Sequence, residues 1–325
     1  MNSQSSVHKN VDQIYYYKML KKGSLSIPNL IALGLLYLIW GSTFLSVRIL
    51  VAYFPPLFIS YGRNITAGLL LLTWSILGGY WVKMPMKHLR VHIMAGLLFI
   101  TVNNASLAIA SAIVPSGFSA VFMALGPLIL VIFFWLEGIK PSIKKIVATF
   151  LGLVGILLMS SQKGLSIPGK EDEFFSGILL LLGAVIAWNI AVFRVQSTKA
   201  NTYHFTQVCA IQMISGSIPL IFISSIKGDL ALLHFDAVPM SAWSFFAYLT
   251  LIGSMAGFSL FGYLSKECDA TLVATFTYVN PIVALILGNL VLDEELHPIL
   301  LFASFFILLA VVLITSNKTK PVIKS

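Results

Sequence analysis

Ten apolar runs of about twenty residues each fill most of this chain and leave little polar sequence between them. A helix needs about 20 apolar residues to cross ~30 Å of hydrocarbon. A backbone in lipid must also satisfy its own hydrogen bonds. The runs fall at 29–48, 57–80, 90–111, 115–136, 142–161, 174–197, 205–226, 241–264, 271–292 and 298–316. They predict an all-α membrane protein with ten transmembrane helices. The alternating segments of about 10 residues that mark a membrane barrel are missing. Only 10% of residues are charged, against about 25% in soluble domains, too few to coat a water-soluble globule.

The fourth and ninth runs share a pattern. Ala120-Val121-Phe122-Met123-Ala124-Leu125-Gly126-Pro127 matches Ala274-Thr275-Phe276-Thr277-Tyr278-Val279-Asn280-Pro281 at Ala, Phe and Pro. Ile132 and Ile286 continue the match, and each run then reaches an acidic residue with Pro four positions on: Glu137 and Pro141, Glu294 and Pro298. The longest polar break, Gln162 to Glu173, divides the runs five and five. Five is odd, so a duplicated unit would enter the membrane the second time upside down, the plan of many secondary transporters. The expected layout is a cytoplasmic tail (1–28), a first five-helix repeat (29–161), an extracytoplasmic linker (162–173), a second, inverted five-helix repeat (174–316) and a second cytoplasmic tail (317–325).

The net charge of +9 invites a nucleic-acid reading, but its placement argues otherwise. With the amino end inside, sixteen of the 21 Lys and Arg fall in cytoplasmic segments and three, Lys163, Lys170 and Lys227, fall outside. Arg48 and Arg63 lie within spans. This positive-inside bias puts both termini in the cytoplasm. Cys209 and Cys268 make no disulfide framework or metal site.

The spans contain no paired carboxylates, no His-Glu-x-x-His, no nucleophile elbow and no phosphate-binding loop. The sequence therefore points to a carrier, not an enzyme or an ATP-driven pump, and calls for no cofactor, no metal and no nucleic-acid partner. Its partners are a small-molecule solute and the lipid bilayer. Arg63 is the sharpest candidate, because an Arg within a span must face protein or water. It is either an electropositive contact for a solute carboxylate or a structural Arg bonded to backbone or snorkelling. Pro127 and Pro281 each remove a helical hydrogen bond, at matched places; with Gly41 they are candidate hinges. Trp40, Ser42, Thr43, Asn103, Asn104, Trp188, Asn189, Gln212, Tyr278 and Asn280 are polar or aromatic residues within spans. Several of them at mid-span predict a wet central cavity, although any one of them can instead hold helices together. His92, at the start of the third run, is expected at the interface. The glycine pairs Gly34 and Gly41, Gly152 and Gly155, and Gly257 and Gly262 are expected at helix contacts.

Ile39-Trp40-Gly41-Ser42-Thr43-Phe44, followed by Arg48, Pro55-Pro56 and Arg63, resembles the first two helices of EamA-type carriers of the drug/metabolite transporter superfamily. Val114-Pro115-Ser116-Gly117, Gly126-Pro127, Gly138-Ile139-Lys140 and Tyr278-Val279-Asn280-Pro281 extend the resemblance. Within the superfamily the pattern is most similar to amino-acid and metabolite exporters of bacterial inner membranes. The resemblance implies a ten-helix basket whose helices one to four and six to nine surround a central cavity. Helices five and ten would lie at the periphery, where a homodimer contact is often found. Close exporter relatives often carry a charged or aromatic group in helix three before the Pro-Ser-Gly turn. Here Ala110-Ser111-Ala112-Ile113 is small and neutral.

The reading that follows is a multi-pass inner-membrane carrier exporting a small metabolite, such as an amino acid, by alternating access. Arg63, Asn103, Asn104 and Asn280 would meet polar groups of the solute, and Trp40, Trp188 and Tyr278 would form apolar walls. With no buried carboxylate, facilitated diffusion or exchange is expected. Alternatives are a broad drug exporter, which needs a large uncharged aromatic cavity; an uptake carrier for nucleotide-linked metabolites, which needs a second cation beside Arg63; and a lipid scramblase, which needs a polar groove open to lipid.

Overall fold

The computed structural model describes residues 26–136, 141–160, 166–196, 202–233, 235–268, 273 and 275–315. Most of the tail 1–28, all of 317–325, Glu137 and Gly138-Ile139-Lys140 lie outside the described residues. Among the described residues the protein is all helix, with no strand. The segments are α1 (Ile27–Leu50), α2 (Pro56–Leu77), α3 (Met86–Ala110), α4 (Ser116–Met123), α5 (Gly126–Leu136), α6 (Ile143–Ser160), α7 (Phe174–Gln196), α8 (Phe205–Lys227), α9 (Met240–Glu267), α10 (Phe276–Leu292) and α11 (Pro298–Thr315). Among the described residues six stretches are long and apolar enough to cross a membrane: α1, α3, Ser116–Phe133, Glu171–Val195, α8 and α9. Phe276–Leu292 and Pro298–Ala310 are shorter apolar helices. Large apolar side chains face outward, with Leu77 82% and Ile226 86% exposed. Only lipid solvates such a surface well, so the chain is an all-α membrane protein.

Helix ends follow local chemistry. Ser26 caps α1, its side chain accepting from the Asn29 amide, and Pro28 occupies the first turn. Pro56 opens α2. Gly228 ends α8 at φ 73°, a left-handed cap suited to a residue without Cβ.

Two departures from regular helix shape the interior. The run expected at 115–136 is two helices, broken at Ala124 and Leu125. Pro127 cannot donate to the Met123 carbonyl, and its ring crowds that carbonyl, so the chain tightens to i→i+3 bonds such as Leu128 N to Leu125 O at 2.9 Å. Pro281, by contrast, stays within α10. The second departure is a pair of eight-residue π-helical stretches, Leu97–Asn104 in α3 and Leu249–Ala256 in α9.

Helices from the two ends of the chain interleave: α2 packs on α8, α1 and α4 on α10, and α6 on α11. One core cluster gathers Phe118, Phe122, Leu125, Leu181 and Ile307. Another gathers Leu36, Trp40, Leu71, Ile100, Met213 and Leu220. A close backbone crossing joins α3 and α8 at Gly96 and Gly216; a methyl group on Gly216 would lie 2.7 Å from the Gly96 carbonyl carbon. Thr101 Oγ1 donates to Gly216 O (2.6 Å) beside it. Of the glycines expected at contacts, Gly41 meets Val283 and Gly155 meets Ile307, whereas Gly34 has nothing within 4 Å of a would-be side chain. His92 is fully buried and pairs with Gln212 Nε2 (3.2 Å), so it stands inside the α3–α8 contact and not on the outer surface.

A polar clamp closes the α4–α10 contact. The Glu294 carboxylate accepts from Ser116 N (2.9 and 3.1 Å), Ser116 Oγ (2.8 Å) and Gly117 N (3.4 Å). These are amides at the start of α4, which has no side-chain cap of its own. An anion suits this positive helix end. Asp293, left-handed at φ 51°, turns the chain so that Glu294 folds back over Gly288.

Candidate functional site

Within the bundle lies a partly open cavity of about 170 Å³. Its lining comes from α1–α5, α7, α9 and α10; among the described residues α6, α8 and α11 contribute none, so the seventh run, expected to surround the cavity, does not line it. From α1 come Trp40, Thr43, Phe44 and Val47, spaced to share a helix face. Arg63 enters from α2, Asn103, Asn104 and Leu107 from α3, and Pro127 from the α4–α5 break. Trp188 and Asn189 come from α7, Phe258 and Phe261 from α9, and Phe276, Thr277 and Asn280 from α10.

One side of the cavity is aromatic and centred on Trp40. Its ring lies 5.4 Å from Trp188 (85°), 5.7 Å from Phe258 (68°), 5.2 Å from Phe261 (36°) and 5.0 Å from Phe276 (82°). Such edge-to-face contacts suit the ring quadrupoles. The indole Nε1 donates to Gly253 O at 3.3 Å, within the π-helical stretch of α9. Gly257 lies under the ring: a methyl group there would come within 2.9 Å of Trp40 Cδ1.

The other side is polar, and its partnering is uneven. Asn103 Nδ2 donates to Ala184 O (2.9 Å), tying α3 to α7, and Asn189 Nδ2 to Val185 O (2.7 Å) on its own helix. Asn280 faces carbonyls; with its amide set accordingly it donates to Tyr37 O (3.2 Å) and Phe276 O (3.1 Å). Arg63 and Asn104 differ. Arg63, 7% exposed, donates from Nη1 to Ser254 Oγ at 3.0 Å, while its Nε has no partner. Asn104, 9% exposed, leaves Nδ2 without an acceptor. Among the described residues the one ion pair is Lys170–Glu173, on the surface, and Arg63 is the one charged residue lining the cavity. Two residues of the lining, Arg63 and Asn104, thus each carry a buried N–H group with no partner on the protein. Unmade buried bonds of this kind are costly.

The structure brings together nine of the residues singled out in the sequence: Trp40, Thr43, Arg63, Asn103, Asn104, Pro127, Trp188, Asn189 and Asn280. It places four elsewhere. Ser42 sits one residue off the α1 stripe, bonded to Tyr248 OH (2.6 Å), in a separate open recess of about 300 Å³ with Leu45, Ser46 and Phe245. Tyr278 packs on the cluster around Phe118 and Phe122. Gly41 lies in the α1–α10 contact against Val283. Pro281 is buried in α10 outside the lining. Sequence reasoning did not single out Phe44, Phe258, Phe261 or Phe276. The signal for Phe258 and Phe261 is their i, i+3 spacing, which puts both on one helix face.

A partly open cavity lined by residues with unpartnered polar groups, among helices whose outer faces need lipid, defines a membrane transporter. The chain belongs to the EamA-like transporter family, whose pattern matches residues 28–161 and again 175–316. It is 34% identical over 303 residues to the uncharacterized inner membrane transporter YedA of Escherichia coli K12, covering 91% of this chain and 95% of that one. It is 23% identical over 290 residues to the uncharacterized transporter YvbV of Bacillus subtilis 168, covering 89% and 91%. One solved crystal structure shares the fold, with a TM-score of 0.58 at 17% identity over 88% of this chain and 96% of that one.

Proposed function

We propose that this protein is a secondary carrier for a small metabolite bearing one carboxylate, such as an amino acid, and that it works by alternating access as an exporter. The observation behind the substrate class is the pair of unpartnered buried donors, Arg63 Nε and Asn104 Nδ2, on residues that line one cavity without an acidic residue. A carboxylate brings two acceptor oxygens and the missing counter-charge. Size supports a small solute: about 170 Å³ lies below the ~300–1,000 Å³ of pockets that take drug-sized ligands. That volume and the single cation weigh against a broad drug exporter and a carrier of nucleotide-linked metabolites.

The mechanism rests on two inverted five-helix repeats, 29–161 and 174–316, rocking about the cavity. Both family-matched stretches contribute to the lining. The Pro127 and Pro281 pair and the π-helical stretches in α3 and α9 recur at nearly the same spacing. The positive-inside bias places both termini in the cytoplasm, and a relative named as an inner membrane transporter supports a bacterial inner membrane. Translocation by facilitated diffusion or exchange fits a lining without a carboxylate.

The test is counterflow in proteoliposomes against a panel of small metabolites and the matching carboxamides, which lack the carboxylate. The protein is expected to carry carboxylates over amides. Arg63→Ala should weaken that preference about 10–100-fold, since a hydrogen bond to a charged group contributes about 1.5–3 kcal/mol. Equal transport of acid and amide by the unaltered protein would overturn this assignment.

A further inference from the structure

Arg63 has one hydrogen-bonded partner on the protein, the Ser254 hydroxyl at 3.0 Å. Ser254 is fully buried and belongs to the π-helical stretch Leu249–Ala256 of α9. Its neighbour Gly253 offers the carbonyl that accepts from Trp40 Nε1. Two consecutive residues of one wide turn therefore hold the two groups that characterise the cavity: the cation from α2 and the central ring from α1. Both come from the first family-matched stretch, and both holding residues come from the second.

The wide turn matters because of rotation. A π-helical turn closes i→i+5 bonds where an α-helix closes i→i+4, so it takes in an extra residue. In an α-helix one residue corresponds to about 100° around the axis. With regular α geometry, the place facing Arg63 would pass to a neighbour of Ser254, either Gly253 or Met255. Neither has a hydroxyl. π-helical turns often occur at functional sites, and this one presents an acceptor to the guanidinium of a cavity-lining Arg whose Nε has no partner. An acceptor at Nη1 anchors one end of the guanidinium, and that anchor restricts where the remaining N–H groups point.

We propose that Ser254 is a positioning residue that holds the Arg63 guanidinium in the orientation that recognises a carboxylate, and that it thereby determines the carrier's selectivity for acids over their amides. This rests on the carboxylate reading of Arg63 and adds the residue that makes Arg63 selective. Ser254 does not line the cavity; it acts through Arg63.

The test uses full-length protein in proteoliposomes, with counterflow of L-serine, L-threonine and L-leucine measured beside serinamide, threoninamide and leucinamide. Ser254→Ala should raise the KM for the acids about tenfold, as expected for the loss of a hydrogen bond to a charged group, leaving Vmax and the amide KM nearly unchanged. Ser254→Thr keeps the hydroxyl and should restore the KM. Ser254→Cys keeps the shape but offers only a weak acceptor, so it should behave like Ser254→Ala and supplies the same comparison if the alanine variant folds poorly. Ser254→Asp puts a fixed carboxylate against Arg63 and should abolish the preference for acids. A purely structural serine would instead lower Vmax for acids and amides alike, with KM unchanged, and that result would overturn the proposal. If Arg63→Ala loses acid selectivity while Ser254→Ala and Ser254→Cys keep it, the positioning role is wrong and the carboxylate reading stands. If the unaltered protein does not distinguish acids from amides, both fall together.

Discussion

The crossing of α3 and α8 gives the most direct physical test of the architecture. A methyl group on Gly216 would lie 2.7 Å from the Gly96 carbonyl carbon and also 2.7 Å from Ile100 Cβ, whereas ordinary contact begins near 3.4 Å. Backbone cannot turn aside as a side chain can. Gly216→Ala must therefore part the two helices by at least about 0.7 Å, taking with it the Thr101 bond to Gly216 O and the buried His92–Gln212 pair. Overpacking commonly costs about 1–3 kcal/mol, and the upper half of that range is expected here because close backbone packing is a main source of helix association in lipid. Scaled from soluble domains, this lowers Tm by about 3–6 °C. Gly96→Ala should cost a similar amount, because its methyl group would lie 2.9 Å from the Gln212 carbonyl carbon. The double variant should cost clearly less than the two single costs together, since helices already parted by one methyl group leave room for the other. Gly34→Ala and Gly183→Ala are the controls: nothing lies within 4 Å of either position, and alanine is the better helix former. The assay is thermal unfolding in detergent, followed by loss of the monodisperse peak. If Gly96→Ala and Gly216→Ala melt with the controls, the helices do not cross at these glycines.

Three further outcomes are expected. Gly257→Ala pushes on Trp40, whose Cδ1 would lie 2.9 Å from the new methyl group, so quenching of indole fluorescence by a bound solute should weaken; an unchanged titration would mean that Trp40 does not shape the site. Glu294→Gln should lower Tm by a few degrees, since a charged partner at a helix start is worth about 1–2 kcal/mol, and Glu294→Ala should lower it further; two unchanged melting points would remove the clamp. His204, the cap of α8, accepts from the Thr206 amide through Nδ1 and stacks on Tyr80 at 3.9 Å. Burial, then the Lys266 charge, hold its imidazole below the ordinary 6.5. The native state thus favours the neutral ring, so this contribution to stability is complete above pH 6.5 and is lost as pH falls through the lowered value. Melting curves of His204→Asn, which caps without titrating, should lose that part of the acid sensitivity, and curves that parallel the unaltered protein would show that His204 contributes none of it.

The helices were legible because lipid leaves the backbone few choices, and an apolar run of the right length shows itself without any partner. The polar members of the cavity were legible for the same reason: an Arg63 or an Asn104 in hydrocarbon needs company. Which neighbour faces inward was harder to read. On α10 the lining follows Phe276, Thr277 and Asn280, a stripe that Tyr278 misses. On α1 it follows Trp40, Thr43, Phe44 and Val47, which Ser42 misses. The π-helical stretches could not be read at all. Leu97–Asn104 and Leu249–Ala256 have the hydropathy of ordinary helix, and their extra residue is absorbed through contacts made by other segments, Gly253 to Trp40 and Ser254 to Arg63. The break at Ala124 and Leu125 was half legible: Pro127 announced a disturbance, but not that one run would become two helices.

The clamp at the start of α4 also bears on the order in which the protein is made. Ser116 and Gly117 leave the ribosome long before Glu294 exists, so the amides at that helix end must wait, exposed or borrowing water, while 177 further residues are made. The first turn of α4 is finished by a residue from the far half of the family-matched chain.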